Sequence, residues 1–188
     1  MKIIAGKYKG RKLVVSKEEF RPTTAKTKEG IFSILTSGNF LKEGKSVLEE
    51  AVVLDLFAGS AALSFESLSR GATKAIVIEI NQNNLNSIKE NALKLGVEKD
   101  VVIIKSDAVD LPKAKLKCNI VFVDPPYNSN LLEKSLQSLI KQNWLADEAI
   151  VVVEVDNTEK NNIPDDYLLL TERNYGKSKI LILQYNNV

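Results

Sequence analysis

Residues 52–63 of the chain read VVLDLFAGSAAL, and this stretch decides the fold. The aliphatic run at 52–56 predicts a buried strand, because strands that are covered on both faces are almost continuously apolar. The small residues at 58–62 predict a tight turn that leads into a helix. A strand, a tight turn and a helix in this order are typical of the first crossover of a doubly wound α/β sheet, where a ligand can approach the backbone closely.

The rest of the chain repeats this alternation. Short aliphatic runs and amphipathic stretches predict strands near 52–56, 75–79, 101–104, 119–123 and 149–155, and helices near 60–70, 82–95 and 130–141. Such a pattern predicts a mostly parallel sheet with helices on both faces, a Rossmann-like α/β fold. Two further strands, at 167–171 and 179–185, are joined by a turn at 174–176, so the last strand is expected to run antiparallel.

A small extension precedes this domain. Two short apolar runs around glycines, at 3–6 and 10–15, predict a β-hairpin. Thr23 or Thr24 is suited to cap a helix whose apolar positions recur at helical spacing within 31–35. The expected division is an N-terminal extension at 1–42 and a main domain at 43–188.

The composition excludes several kinds of chemistry. The chain has 188 residues, no histidine and a single cysteine, Cys118. Without histidine, Ser-His-Asp and Cys-His catalysis are impossible and the commonest zinc ligands are missing, so we expect no metal. One cysteine cannot form an internal disulfide. The apolar runs are shorter than a membrane span, and the first residues lack the apolar region of a signal peptide. We expect a soluble cytoplasmic protein, a monomer without a membrane partner.

Positive charge is concentrated near the N-terminus. The first 30 residues carry nine lysines and arginines against three glutamates, whereas the whole chain has a net charge of +2. A basic segment on a mildly acidic body favours a polyanionic partner, but a solvated lysine-rich edge has the same pattern. If the partner is RNA, the residues expected to contact it are Lys7, Lys9, Arg11, Lys12, Arg21, Thr23, Thr24, Lys26 and Lys28.

Three acidic residues lie at or near the ends of predicted strands. Asp55 precedes the turn and offers a carboxylate to a cationic group; the turn has Gly59 but lacks the three glycines of a pyrophosphate-binding loop. Glu79 stands 20 residues beyond Gly59, where an acid can accept both hydroxyls of a ribose. Asp107 could similarly reach an adenine amino group. The alternatives are a purely structural turn and acids exposed by chance at strand ends.

The motif that points most specifically to a function is Asp124-Pro125-Pro126-Tyr127, which follows the predicted strand at 119–123. Prolines cannot continue a β-ladder, so this corner is stiff and its carbonyls are freed from sheet pairing. Asp124 and the Pro125 carbonyl can accept the two hydrogens of an amino group, while Tyr127 stacks on a flat ring. A simple turn would not require this combination.

With DLFAG at 55–59, the Asp-Pro-Pro-Tyr corner resembles the amino-group branch of the S-adenosylmethionine-dependent methyltransferases. The stretches IAGKYKGRKL at 4–13, RPTT at 21–24 and LSRGA at 68–72 narrow the resemblance to the bacterial 16S ribosomal RNA guanine-N2 methyltransferases, over most of the chain. The resemblance implies S-adenosylmethionine as cofactor, 16S RNA or the small ribosomal subunit as partner, and the 124–127 corner as the holder of the target guanine. The cofactor site that it implies consists of Asp55, Phe57, Ala58, Gly59, Ser60, Glu79, Asp107 and Ala108.

The chain departs from the family pattern in two places. The family usually has Gly-Ser-Gly-Ala-Leu-Gly after the first strand, whereas GSAALS stands at 59–64, so Ala61 and Ser64 add side chains to the cofactor turn. At 25–30, AKTKEG replaces Asp-Arg-Val-Arg-Glu-Ala, which keeps positive charge but loses arginine's bidentate recognition of phosphate.

Three other functions stay open. A DNA amino-methyltransferase can share the corner, but we find no separate target-recognition domain. A protein-glutamine methyltransferase typically has Asn where Asp124 stands. The third is a catalytically silent RNA-binding or ribosome-assembly protein, which the departures at Ala61 and Ser64 keep open.

Overall fold

The computed structural model describes residues 1–16, 24–37, 40–42, 44–159 and 161–186. The helices of this part are α1 (Ala25–Leu35), α2 (Ala62–Ser69), α3 (Gln82–Leu95) and α4 (Leu132–Lys141). Its strands are β1 (Leu41–Lys42), β2 (Lys45–Ser46), β3 (Val52–Leu56), β4 (Lys74–Glu79), β5 (Val101–Lys105), β6 (Cys118–Val123), β7 (Leu145–Asp156), β8 (Tyr167–Tyr175) and β9 (Ser178–Tyr185). None of the described helices is long and apolar enough to cross a membrane.

Seven strands form one sheet in the order β5-β4-β3-β6-β7-β9-β8. The first five strands of this order are mutually parallel, and β9 pairs antiparallel with both β7 and β8. This confirms the predicted sheet and its antiparallel last strand. The chain runs outward from β3 to β5 and then returns to β6 on the other side of β3. The carboxyl ends of β3 and β6 therefore form a topological switch point, where open α/β sheets bind ligands.

Two hydrophobic layers cover the sheet. Successive side chains of a strand point to opposite faces, so Val53 and Leu54 of β3 belong to different layers. Helices α1, α2 and α3 contribute to the first layer and α4 to the second. Phe32 of α1 contacts Phe122 of β6, with ring centroids 6.0 Å apart. The residues predicted as an extension thus share a core with the main sheet, and the division at 42/43 stays a prediction.

Helix α1 begins as the sequence indicates. Thr24 is its N-cap, and the Thr24 hydroxyl accepts a hydrogen bond from the Thr27 N–H at 3.1 Å. Ile31 and Leu35 are buried on the face that meets the sheet. The other candidate cap, Thr23, lies outside the described residues.

The N-terminal segment forms a short antiparallel hairpin, with less regular pairing than predicted. It holds one β-bridge, between Lys2 and Lys12, and the Ile3 N–H donates to the Arg11 carbonyl at 3.0 Å. The N–H groups of Ile4 and Ala5 donate to the Glu66 carboxylate instead, at 2.8 and 3.0 Å. These backbone donors are therefore satisfied by α2 and not by the other arm of the hairpin.

Further contacts attach the same segment to α2 and α3. The Tyr8 N–H donates to Ser69 Oγ at 2.9 Å, and the Asn91 amide exchanges two hydrogen bonds with the Val14 backbone. Gly6 has a φ of +79°, and a Cβ there would lie 1.8 Å from the Ser69 carbonyl oxygen. Only glycine fits this approach of backbone to backbone.

A buried ion cluster lies beneath this attachment. Lys28 and Glu66 are 1% and 0% exposed, and Lys28 Nζ lies 3.3 Å from Glu66 Oε2. The ammonium also donates to the Lys2 carbonyl at 2.8 Å, while Arg70 Nε donates to Glu66 Oε1 at 2.9 Å. Burial lowers the pKa of Lys28, and Glu66 opposes that shift. The expectation that Lys28 contacts RNA is therefore wrong, because its charge is used inside the protein.

We predict that Glu66→Ala lowers the free energy of unfolding by about 3–5 kcal/mol, because it leaves Lys28 buried without its counter-ion. The matched control is Glu90→Ala, which breaks the exposed Glu90–Lys94 pair on α3. That change should cost roughly 0.5 kcal/mol or less. Urea denaturation measures both values, and equal losses would contradict the role assigned to the buried cluster.

Candidate active site

A cavity of about 1380 Å³ opens at the switch point. Its wall combines the turn after β3, the ends of β4 and β6, parts of β7 and β9, and the amino end of α1. The predicted site residues that line it are Thr24, Lys26, Asp55, Phe57, Ala58, Gly59, Ser60, Glu79, Asp124, Pro125, Pro126 and Tyr127. A second cavity, of about 1010 Å³, lies at the amino ends of the parallel strands and contains none of them.

The turn between β3 and α2 has an unusual backbone. Phe57, Gly59 and Ala61 all have positive φ, at 57°, 54° and 55°. Ala61 is the N-cap of α2 and makes no side-chain capping hydrogen bond. A left-handed conformation costs a residue with a Cβ about 1–2 kcal/mol. The departure from the family's glycine at position 61 therefore introduces strain into this turn.

Glu79 ties the turn to β4. Its Oε2 accepts hydrogen bonds from the Gly59 N–H at 2.8 Å and from the Asn84 amide at 3.2 Å. Its Oε1 accepts from the N–H groups of Ile80 and Asn81 at 2.8 and 2.7 Å. Because four donors hold this buried carboxylate, its position against the cavity is fixed.

Ser64 has a definite role beside Asp55. Asp55 is 2% exposed, and its Oδ2 accepts from the Ser64 hydroxyl at 2.8 Å and from the Ser64 N–H at 3.3 Å. Ser64 lies in the first turn of α2 and is fully buried. The second departure from the family pattern thus orients the carboxylate that was predicted to meet a cationic group.

The corner after β6 is anchored through its tyrosine. Pro125 is buried, Asp124 is half-buried, and both line the cavity. The Tyr127 hydroxyl lies 2.8 Å from Ser178 Oγ and donates to Glu154 Oε1 at 3.3 Å. Burial raises the pKa of Tyr127, so the phenol stays neutral. These contacts hold the ring beside the corner.

Glu154 and Ser178 are site residues that the sequence prediction missed. Ser178 Oγ donates to Glu154 Oε1 at 2.7 Å, and both residues line the cavity. Burial raises the pKa of Glu154. A signal was present, because an acid inside the aliphatic run 149–155 is unusual in a buried strand and generally has a partner.

Two lysines lie at the wall of the cavity. Lys26 of α1 and Lys177 of the turn between β8 and β9 are exposed, and both line the wall. Tyr175, the last residue of β8, packs where Gly30 leaves room, since a Cβ on Gly30 would lie 2.3 Å from the Tyr175 ring. Glycine at position 30, where the family tends to have alanine, therefore accommodates this contact.

Four other residues predicted to contact RNA lie within residues 1–16, which we call the basic segment. These residues, Lys7, Lys9, Arg11 and Lys12, are all exposed. They do not line the cavity, but Met1 of the same segment does, with its Sδ 3.8 Å from the Ser60 hydroxyl. The basic segment thus adjoins the cavity. Arg21 and Thr23 lie outside the described residues, so their contacts stay predictions.

Asp107 and Ala108 are not part of the cavity wall. The Asp107 carboxylate is exposed and accepts a hydrogen bond from the Val109 N–H at 3.1 Å. Ala108 is buried in the second hydrophobic layer. Their contacts with a cofactor stay predictions.

The sheet order and the cavity at the switch point define an α/β protein of the Rossmann-like class. The chain belongs to the family described as Conserved hypothetical protein 95, whose model matches residues 1–184.

Two comparisons agree with this family, and a third agrees with the fold alone. A putative methyltransferase from Escherichia coli has a solved structure with a TM-score of 0.82 and 33% identity, covering 99% of this chain and 98% of its own. The ribosomal RNA small subunit methyltransferase D of Haemophilus influenzae is 35% identical over 94% of this chain and 89% of its own length. At 15% identity, an RNA methyltransferase from Salinibacter ruber in complex with S-adenosyl-L-homocysteine shares the fold, with a TM-score of 0.66 over 89% of this chain and 95% of its own.

We predict that Ser64→Ala lowers the free energy of unfolding by about 1–3 kcal/mol, because it takes a donor from a buried carboxylate. Ser67→Ala is the matched control on the same helix. Ser67 is equally buried, but its hydroxyl donates only to the Leu63 carbonyl, a contact that helices do not require. We expect that control to cost less than about 1 kcal/mol. Similar losses in urea denaturation would show that Ser64 has no special role beside Asp55.

Proposed function

We propose that the protein transfers the methyl group of S-adenosylmethionine to the exocyclic N2 amino group of a guanine in 16S ribosomal RNA. The observation that carries this proposal is that the β3–α2 turn and the Asp124–Tyr127 corner open into one cavity. The relative named ribosomal RNA small subunit methyltransferase D supports the coarser reading of a ribosomal RNA methyltransferase. The choice of guanine N2 comes from the resemblance of the sequence to the guanine-N2 methyltransferases.

The cavity is large enough to hold a cofactor and a base side by side. Its volume of about 1380 Å³ exceeds the roughly 300–1,000 Å³ of a common small-molecule pocket. Asp55 would hold the α-amino group of the cofactor, and Glu79 would meet its ribose hydroxyls. When bound, the cofactor supplies an activated methyl group on a positively charged sulfur. The protein's own task is then to place the acceptor nitrogen, and positioning alone is worth roughly 7–11 kcal/mol.

The corner after β6 would hold the target base. The lone pair of an exocyclic amino nitrogen is delocalised into the ring, which makes the nitrogen a poor nucleophile. Acceptors at the Asp124 carboxylate and the Pro125 carbonyl favour the pyramidal, nucleophilic geometry. Methylation makes the amine acidic, so a dedicated base is not needed, in keeping with the absence of histidine.

The base must leave its stack to reach this corner, which is cheapest in a loop or in incompletely folded RNA. The basic segment would bind the surrounding phosphates. Lys26 and Lys177 would extend that positive surface to the cavity. Small ribosomal subunits, or intermediates in their assembly, are therefore the substrates to test beside naked RNA.

We expect labelled methyl from S-adenosylmethionine to appear as N2-methylguanosine in 16S RNA or small subunits from a strain that lacks the modification. Asp124→Ala should lower kcat roughly 100- to 1,000-fold, because it removes an acceptor that acts on the reacting nitrogen. The control, Asp110→Ala, removes an exposed carboxylate outside the cavity wall and should leave kcat unchanged. Nucleoside analysis of the digested RNA identifies the product, and the better acceptor identifies the state of the substrate.

The same assay separates the competing functions. Labelled DNA would indicate a DNA amino-methyltransferase. RNA binding without transfer would favour the silent binding protein, for which the strained Ala61 backbone is the structural argument. Normal turnover by Asp124→Ala would contradict the role proposed for the corner.

We further expect that replacing Lys7, Lys9, Arg11 and Lys12 by glutamine weakens RNA binding and leaves cofactor affinity intact. Each lost phosphate contact should flatten the slope of log affinity against log salt by about 0.7–0.9. The control replaces four exposed lysines on other surfaces, Lys113, Lys115, Lys117 and Lys134, and so makes the same change in net charge. Filter binding over a range of salt concentrations measures both variants. Equal effects of the two sets would mean that only overall charge matters.

A further inference from the structure

Glu154 lies on the side of the cavity that faces the proposed base. It belongs to β7, which pairs with β6, the strand that ends in the Asp124–Tyr127 corner. The cofactor residues Asp55 and Glu79 lie on β3 and β4, on the other side of β6. Glu154 lines the cavity and is only 6% exposed. A carboxylate at this depth must have a function or a full set of partners.

The two carboxylate oxygens of Glu154 differ in their hydrogen bonding. Oε1 accepts hydrogen bonds from Ser178 Oγ at 2.7 Å and from the Tyr127 hydroxyl at 3.3 Å. Oε2 is buried as well, and no residue in the described part of the chain forms a hydrogen bond with it. Buried polar atoms nearly always have a partner, and one without a partner in a ligand cavity is suited to a ligand.

Glu154 Oε2 is suited to a ligand that donates a hydrogen bond. Burial raises the pKa of Glu154, and a hydrogen-bond donor from a ligand would favour the charged form again. Of the purine bases, guanine carries an N1–H donor directly beside its C2 amino group, whereas N1 of adenine is an acceptor. Tyr127 links the two sites, since it belongs to the corner and its hydroxyl contacts Glu154.

We propose that Glu154 Oε2 accepts a hydrogen bond from the N1–H of the target guanine and thereby selects guanine. This inference rests on the proposed function and adds a specificity-determining residue to it. The corner engages the amino group that is methylated, while Glu154 reads the neighbouring position on the same edge of the base. A site built to pair with a donor discriminates strongly against a base that lacks it, because the buried acceptor is then left unpaired.

The test uses 2-aminopurine, which keeps the C2 amino group but has an unprotonated N1. The substrates are 16S RNAs made by ligation with guanine or 2-aminopurine at the methylated nucleotide, presented as naked RNA or in reconstituted subunits, whichever the native protein prefers. We expect the native protein to favour guanine roughly 10- to 100-fold in kcat/KM. In Glu154→Gln this ratio should fall about 10-fold, because the amide can donate to N1 of 2-aminopurine.

Two further variants complete the design. Glu148→Gln makes the same chemical change at an exposed position of β7 outside this cavity and should leave the ratio unchanged. Glu154→Asp keeps the charge but withdraws it by one methylene group. It should lower the activity on guanine and leave that on 2-aminopurine unaffected, which covers the case in which Glu154→Gln does not fold.

The outcomes distinguish this inference from the proposed function. If the native protein labels neither RNA, the proposed function fails and the inference with it. If guanine is labelled but Glu154→Gln lowers the activity on both bases by the same factor, the inference alone is overturned. Glu154 would then be a structural support for Tyr127.

Discussion

The parallel pairing of β3 with β6 is the constraint on which the site depends. Leu56 lies opposite Val123 in the register, so both strands end at the same level of the sheet. The turn that follows β3 and the corner that follows β6 therefore face each other across one cavity, although about 70 residues separate them along the chain. A shift of one residue in this register would turn the side chains of a whole strand to the opposite face.

Most of the fold could be predicted because its signals are local. Buried parallel strands are continuous aliphatic runs, the cap at Thr24 precedes a periodic helix, and the 124–127 corner combines residues that a simple turn does not need. The misses all come from contacts between distant residues. Lysines near a chain terminus suggest an exposed basic surface. Nothing near Lys28 in the sequence indicates that it is buried in an ion pair with Glu66.

The two departures in the cofactor turn have opposite effects on its stability. The left-handed backbone of Ala61 stores strain, whereas Ser64 adds a hydrogen bond that fixes Asp55. Sequence comparison alone counts both as substitutions of glycine. The structure separates them. At the helix end, Ala61 destabilises the turn, whereas beside the Asp55 carboxylate, Ser64 stabilises it.

The attachment of the N-terminal segment also has a consequence for biosynthesis. Its contacts reach forward along the chain, by 62 residues from Ile4 to Glu66 and by 77 residues from Val14 to Asn91. At translation speeds of about 5–20 residues per second, Asn91 is polymerised roughly 4–15 seconds after Val14. Until then the basic segment cannot complete its attachment to α2 and α3, while the nascent chain is still tethered to a ribosome, itself largely RNA. The segment thus reaches its folded position only after α2 and α3 have been synthesised.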